Sequence, residues 1–251
     1  PIVTPMRAIF VADAHLRKPG DLNYLRMLDF LEEQRGKTDM LVLLGDIFEF
    51  WIGKSTVAAD HVPLVDALER LHRQGTQLVY VEGNHDFHLG PVFTSRLACQ
   101  VFPDGGSIEL DGMKVYLAHG DLANPDDTGY RRLRSFFRSG LVRILIRVLP
   151  NVLLQCIAVL AGFLSKKSCG GQRNDRPARK ILKPYAERLL AAGHQAVVTG
   201  HFHQPFHEKL GDGELIALGD WITQFSFAVY ENRTFTLTTY QATTPGDATT
   251  P

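Results

Sequence analysis

Two periodicities divide the chain. Residues 8–12, 40–44 and 77–81 are short, nearly unbroken apolar runs, the signature of strands buried on both faces. Residues 21–35 and 57–74, between those runs, carry apolar positions at three- and four-residue spacings and predict amphipathic helices. Strands alternating with helices in this way predict an α/β sheet with helices packed on it. The pattern changes further on. In "ELDGMKVYLA", residues 109–118, Asp111-Gly112 separates two short apolar runs and predicts a hairpin. Residues 197–199, 215–218, 225–230 and 235–240 add short strands, the last two joined by a turn at Glu231-Asn232-Arg233. Two sheets packed face to face and flanked by helices accommodate this many strands in one domain.

Residues 127–174 interrupt the alternation with a helical pattern. The stretch "GLVRILIRVLPNVLLQCIAVLAGFL", 140–164, is apolar except for Arg143, Arg147, Asn151 and Gln155. Three readings are open: a buried helix pair bent at Pro150, a membrane span, or an interfacial cap with arginines at its edge. Against the span stand Pro150, the two arginines and a clean run after Asn151 shorter than the roughly 20 residues a spanning helix needs. Charge sets the same region apart. From Tyr130 to Asn174 there are nine Lys and Arg and no Asp or Glu, while the other 206 residues hold 18 basic and 27 acidic side chains. The formal net charge of zero hides a cationic segment, uncompensated within itself, on an acidic host.

With 251 residues and 45% hydrophobic content, the chain is long enough to bury a core. Cys99, Cys156 and Cys169 form no CxxC pair and leave one over in any pairing, which predicts a reducing compartment and no thiolate metal site. The opening "PIVTPMRAIFVADAH" lacks the basic flank and long apolar run of a signal peptide, so a cytoplasmic protein is expected. Residues 243–251 have no apolar period and are expected to form a disordered tail. The basic segment has no aromatic ladder beyond Phe136 and Phe137, which argues against nucleic acid as a partner.

Candidate chemistry concentrates where apolar runs end. "IFVADAH" delivers Asp13 and His15, "LVLLGDIF" Asp46, "LVYVEGNHD" Asn84, His85 and Asp86, "VYLAHGD" His119, and "AVVTGHFH" His201 and His203. Any one of these alone reads as a turn or a cap. Five strand ends on one sheet rim are different, because carboxylates and imidazoles crowded at buried positions are costly unless cations neutralise them. Gly45 and Gly83 are expected to let the backbone turn sharply after a strand. His61, His72, His88, His194 and His207 are expected at the surface or in caps.

The ordered set Asp13-Ala-His15, Gly45-Asp46, Gly83-Asn84-His85-Asp86, His119 and Gly200-His201-Phe202-His203 resembles the five blocks of the calcineurin-like metallophosphoesterases. The resemblance implies a four-layer αββα sandwich and two divalent metal ions, manganese foremost. By the family's motif roles, Asp13, His15 and His203 hold one ion, Asn84, His119 and His201 the other, and Asp46 bridges. His85 then stabilises phosphoryl charge or protonates the leaving oxygen, and Asp86 orients it. "GDIFEFWIG", "GNHDFHLG", "HGDLANPDDTGYRRLR" and "GHFHQP" further resemble the UDP-2,3-diacylglucosamine pyrophosphatases of lipid A synthesis. That likeness implies a core of residues 1–128 and 175–242, and a helical lid at 129–174 that covers the site and meets the inner membrane. It implies a nucleotide-linked glycolipid substrate cleaved to UMP and a lipid monophosphate, with contacts from Asp127, Tyr130, Ser165, Lys166 and Lys167. His85 stands where those relatives carry Arg, which leaves another nucleotide-linked lipid or a soluble nucleotide as the alternative substrate. The oligomeric state is not legible.

Overall fold

The computed structural model describes residues 6–53, 59–148 and 177–241. β1 (Ala8–Val11), β2 (Met40–Leu43) and β3 (Gln77–Val81) pair in parallel, and the short β4 (Gln100–Phe102) extends the sheet beside β3. β10 (Ser226–Glu231) runs antiparallel to β1, and β11 (Thr234–Thr239) closes that edge, giving the order β11-β10-β1-β2-β3-β4. The second sheet has the order β5-β6-β7-β9-β8, made of β5 (Gly106–Leu110), β6 (Met113–Ala118), β7 (Ala196–Thr199), β8 (Phe206–Leu210) and β9 (Gly213–Ala217). β6, β7 and β9 are parallel, with antiparallel β5 and β8 at the edges.

Strand alternation explains how the sheets stack. Ala8 and Phe10 of β1 point with Val42, Val79 and Val81 into a core shared with Val115, Leu117, Val198 and Ile216 of the second sheet. Their neighbours Ile9, Val11, Leu41, Leu43 and Tyr80 face the other way. There they meet α1 (Leu22–Glu33) through Met27, Phe30 and Leu31, and α2 (Val62–Arg73) through Leu64, Leu68 and Leu71. On the far side, Val197, Leu215 and Ala217 pack on Ala178, Leu182 and Ala186 of α5 (Ala178–Ala191). Helices, sheet, sheet and helix are the four layers expected. The strands that run through the middle are buried on both faces, which is why they read as continuous apolar runs.

Two helices of the 127–174 region are described, α3 (Thr128–Phe137) and α4 (Gly140–Val148). The proposed bend at Pro150, residues 149–174 and the 243–251 tail lie outside the described residues. Among the described residues no helix is long and apolar enough to cross a membrane. The hairpin at Asp111-Gly112 is present, with Leu110 opposite Met113 and both turn residues at positive φ (47° and 78°). β4, β8 and α5 have no counterpart in the expected list. β4 has only three residues, β8 is an edge strand of mixed polarity, and α5 carries Pro184, a helix breaker, within its span.

Candidate metal centre

The ends of β1, β2, β3, β6, β7 and β9 supply one rim. Beyond β1 and β2 the two backbones run side by side: Asp13 N–H donates to Gly45 O (3.1 Å), His15 N–H to Asp46 O (2.9 Å) and Leu16 N–H to Ile47 O (2.9 Å). Five of the candidate ligands, Asp13, His15, Asp46, His201 and His203, have φ between 45° and 74°. Non-glycine residues in this region store roughly 1–3 kcal/mol each, so the surrounding loops must enforce the geometry.

Glycine makes that crowding possible. Gly45 has φ +80° and turns the chain as expected, and a Cβ there would stand 2.7 Å from His119 Nδ1. Gly83 is not at positive φ, so the expected sharp turn is not its reason. A Cβ on Gly83 would collide with the Asp46 carboxylate, and the residue serves close approach.

The seven predicted ligands converge in two groups. Asp13, His15 and His203 offer ligand atoms within 4.8 Å of one another, and so do Asp46, His119 and His201. Asn84 joins the second group, its Oδ1 lying 3.2 Å from His119 Nε2, which is itself 3.2 Å from His201 Nδ1. Asp46 stands between the groups: its Oδ2 lies 3.4 Å from His119 Nε2, 3.8 Å from His15 Nε2 and 4.0 Å from His85 Nε2. Its Oδ1 accepts from His85 N–H at 2.9 Å.

These residues fit a cationic occupant. Asp13 is fully buried, and while its Oδ2 accepts from His201 N–H at 2.7 Å, its Oδ1 has no hydrogen-bond partner. Burial drives the Asp13 carboxyl upward against the pull of His119 and His203. Burial works the same way on Asp46, yet His119, His85 and His15 hold it well below the carboxylate range. At His119 burial opposes charge, but Asp46 and Asp13 outweigh it and push the imidazole up to about 10. The inner face of the rim thus draws positive charge to atoms that are all good ligands for first-row divalent ions.

His85 and Asp86 part company. The His85 ring lies edge-on to His15, centroids 4.8 Å apart, with Nδ1 2.9 Å from Glu49 O. A carbonyl only accepts, so Nδ1 carries the hydrogen and Nε2 is turned to the rim. The carboxylate of Asp86 does not orient this ring. It is fully buried and accepts from four backbone N–H groups, of Asp46, Ile47, Phe48 and Gly83, and from Tyr80 O–H. It staples the β2 loop to the β3 loop.

Asp127 caps α3, its Oδ1 accepting from Tyr130 N–H, and Tyr130 O–H donates to Asp121. Ser165, Lys166 and Lys167 lie outside the described residues. The cationic segment is less solitary than its composition implies. Arg134 pairs with Asp121 and Asp104, and Arg138 donates to Glu82 Oε2 (2.6 Å), Pro103 O (2.6 Å) and Gly83 O (2.9 Å). Their partners stand 13 to 56 positions away in sequence, so local composition cannot show them. His61, expected at the surface or in a cap, is the N-cap residue of α2, and its ring is buried between Tyr24, Phe48 and Trp51. His88 is half-buried against Phe137 O of α3.

Two residues of the site were missed. Glu49 Oε2 lies 3.3 Å from His15 Nδ1, and Asp220, at the end of β9, places Oδ2 3.7 Å from His203 Nδ1. Asp220 was within reach of sequence reasoning, because Leu218-Gly219-Asp220 repeats the Leu44-Gly45-Asp46 pattern.

Comparison with known proteins follows the same lines. The calcineurin-like phosphoesterase family model matches residues 6–205. The chain is 31% identical over 229 residues to a UDP-2,3-diacylglucosamine hydrolase of Aeromonas salmonicida, covering 89% of each. Against enzymes of that name from Edwardsiella ictaluri and Pseudomonas aeruginosa the identities are 33% over 230 residues and 32% over 225. These span 88% and 87% of this chain and 87% and 92% of the relatives. An archaeal phosphodiesterase structure shares the fold at a TM-score of 0.52 and 13% identity, over 93% of this chain and 99% of that one. The rim of ligand side chains, the two-sheet scaffold that holds it and the match across residues 6–205 agree: the chain belongs to the calcineurin-like phosphoesterase family of hydrolases.

Proposed function

We propose that the protein cleaves the diphosphate of UDP-2,3-diacylglucosamine to UMP and 2,3-diacylglucosamine 1-phosphate, using two divalent ions, manganese foremost. Asp13, His15 and His203 would hold one ion, Asn84, His119 and His201 the other, with Asp46 between them. When bound, such a pair supplies Lewis acidity toward phosphoryl oxygens and an activated water as nucleophile. The observation that carries the reading is the Asp46 carboxylate, one oxygen of which lies within 4.0 Å of imidazoles from three strand ends.

The chain's own groups divide the remaining work. Asp86 fixes the Asp46 loop by its four backbone N–H contacts, so the Asp46 carboxylate that would lie between the ions cannot drift. His85, with Nδ1 committed to Glu49 O, turns Nε2 to the rim 4.0 Å from Asp46 Oδ2, where as an imidazolium it would donate to a phosphoryl or leaving oxygen. Asp127 and Tyr130 would sit at the root of a lid whose substrate contacts include Ser165, Lys166 and Lys167.

The relatives' names support the lipid substrate, and so does the surface of the inserted helices. Leu141, Ile144 and Val148 of α4 are exposed, as are Phe136, Arg131, Arg132 and Arg143. Apolar and cationic side chains together suit acyl chains attached to a diphosphate, and docking on the inner membrane from the cytoplasmic side. The test is hydrolysis of UDP-2,3-diacylglucosamine by the manganese-loaded protein in oxygen-18 water. Turnover with a single label in one phosphate product is expected, and its phosphorus identifies the point of attack. Absence of turnover defeats the proposal; equal turnover of the deacylated nucleotide sugar replaces it with a soluble-nucleotide hydrolase.

A further inference from the structure

The two halves of the rim are backed differently. His15 and His203, which face Asp13 and Asp46 through their Nε2 atoms, each turn the other nitrogen toward a carboxylate: Glu49 Oε2 at 3.3 Å and Asp220 Oδ2 at 3.7 Å. Neither carboxylate is loose. Glu49 is held by Arg17 Nη2 at 3.0 Å. Asp220 Oδ1 accepts N–H bonds from Ile222 (2.8 Å), Thr223 (2.7 Å) and Gln224 (3.2 Å) and the Thr223 hydroxyl at 3.2 Å. The other half has no such support at its best-placed imidazole, because His119 Nδ1 faces the backbone carbonyl Leu44 O at 2.8 Å.

We propose that Glu49 and Asp220 are positioning residues for one half of the centre: each fixes the tautomer and ring direction of its histidine and strengthens the hold of the Asp13, His15 and His203 position on a divalent cation. A carboxylate at Nδ1 keeps the hydrogen there, leaves the Nε2 lone pair pointing inward, and makes that lone pair a stronger donor. A backbone carbonyl does the first two and less of the third. Glu49 has a second hold on the site, since its own carbonyl fixes the His85 ring. The inference rests on the metal-binding part of the proposed function and is independent of the substrate.

Calorimetric titration of the metal-stripped full chain with Mn²⁺ tests it, comparing wild type, Glu49→Gln, Asp220→Asn and the remote surface variant Glu69→Gln. Gln and Asn keep an acceptor oxygen for the groups that hold these side chains, and circular dichroism of the metal-free proteins verifies the fold. Two equivalents are expected for wild type and Glu69→Gln. In Glu49→Gln and Asp220→Asn one equivalent should weaken by about 10- to 100-fold while the other stays within about threefold. Nitrogen-15 spectra of the metal-free protein with neutral rings, where no ion pins Nε2, should show the His15 or His203 ring of the matching variant as a mixture of Nδ1–H and Nε2–H tautomers instead of Nδ1–H alone. Equal weakening of both equivalents, or no weakening with unchanged ring tautomers, overturns the proposal. A wild type that takes up no metal removes the two-ion reading itself.

Discussion

Replacing Asp86 with Asn tests whether the site is held in place by its buried frame. Asp86 Oδ1 accepts from the N–H groups of Asp46 (3.0 Å) and Gly83 (2.9 Å), and Oδ2 from those of Ile47 (2.6 Å) and Phe48 (3.3 Å) and from the Tyr80 hydroxyl (2.5 Å). An Asn side chain offers one acceptor oxygen and one NH₂ group, so in either orientation at least two of the five donors meet a donor. Each lost bond to a charged acceptor is worth about 1.5–3 kcal/mol, and a buried N–H left unsatisfied adds to the cost. Two such losses come to about 3–6 kcal/mol, a large part of the roughly 5–15 kcal/mol that stabilises a typical domain. For a chain of this size that corresponds to a fall in Tm of about 10 °C. Urea denaturation with a chelator present isolates the frame from the metal. The expected order is Asp86→Asn far below wild type, with metal uptake weakened even where the variant is folded. A loss under about 1 kcal/mol would refute the hydrogen-bond accounting and leave the position of Asp46 to be explained by the metal alone.

Other perturbations probe separate parts of the structure. Arg138→Met leaves the Glu82 charge buried without its partner and should cost about 3–5 kcal/mol, most of it recovered in the double variant with Glu82→Gln; an additive double variant in denaturation curves contradicts the pairing. His61 is held by burial at about 4 against 6.5, so the unfolded chain binds more protons across that window and stability falls as pH drops through it. Between pH 7 and pH 5 the metal-free protein should lose about 2 kcal/mol through this residue, and His61→Leu should remove that part of the loss; identical acid limbs in the two stability profiles would contradict it.

What was legible in the chain, and what was not, follows from the range of the signals. β1, β2, β3 and β7 announce themselves because they are buried on both faces, β6 because a hairpin turn precedes it, and their polar ends sit one to four residues beyond the strand. The candidate ligands were therefore readable as local breaks in local patterns. Gly83 was named for the wrong reason, because close approach to Asp46 is a tertiary fact and a sharp turn is a local one. Glu49 escaped because it lies three residues past Asp46 in a stretch that resembles any loop, and acts only once the β1 and β2 loops are zipped together. The pairing of Arg134 and Arg138 with Asp121, Asp104 and Glu82 escaped for the same reason, and turned an apparently uncompensated segment into one anchored to the core. α5 was hidden by Pro184, which breaks the expected run although Ala178, Leu182 and Ala186 still share one buried face.

The central claim is that seven side chains from five strand ends hold two cations around Asp46. Anomalous diffraction at the manganese edge from crystals grown with Mn²⁺ addresses it directly. Two peaks are predicted, one among Asp13, His15 and His203, the other among Asn84, His119 and His201, with the Asp46 carboxylate in contact with both. A single peak, or two peaks that do not share Asp46, would contradict the account.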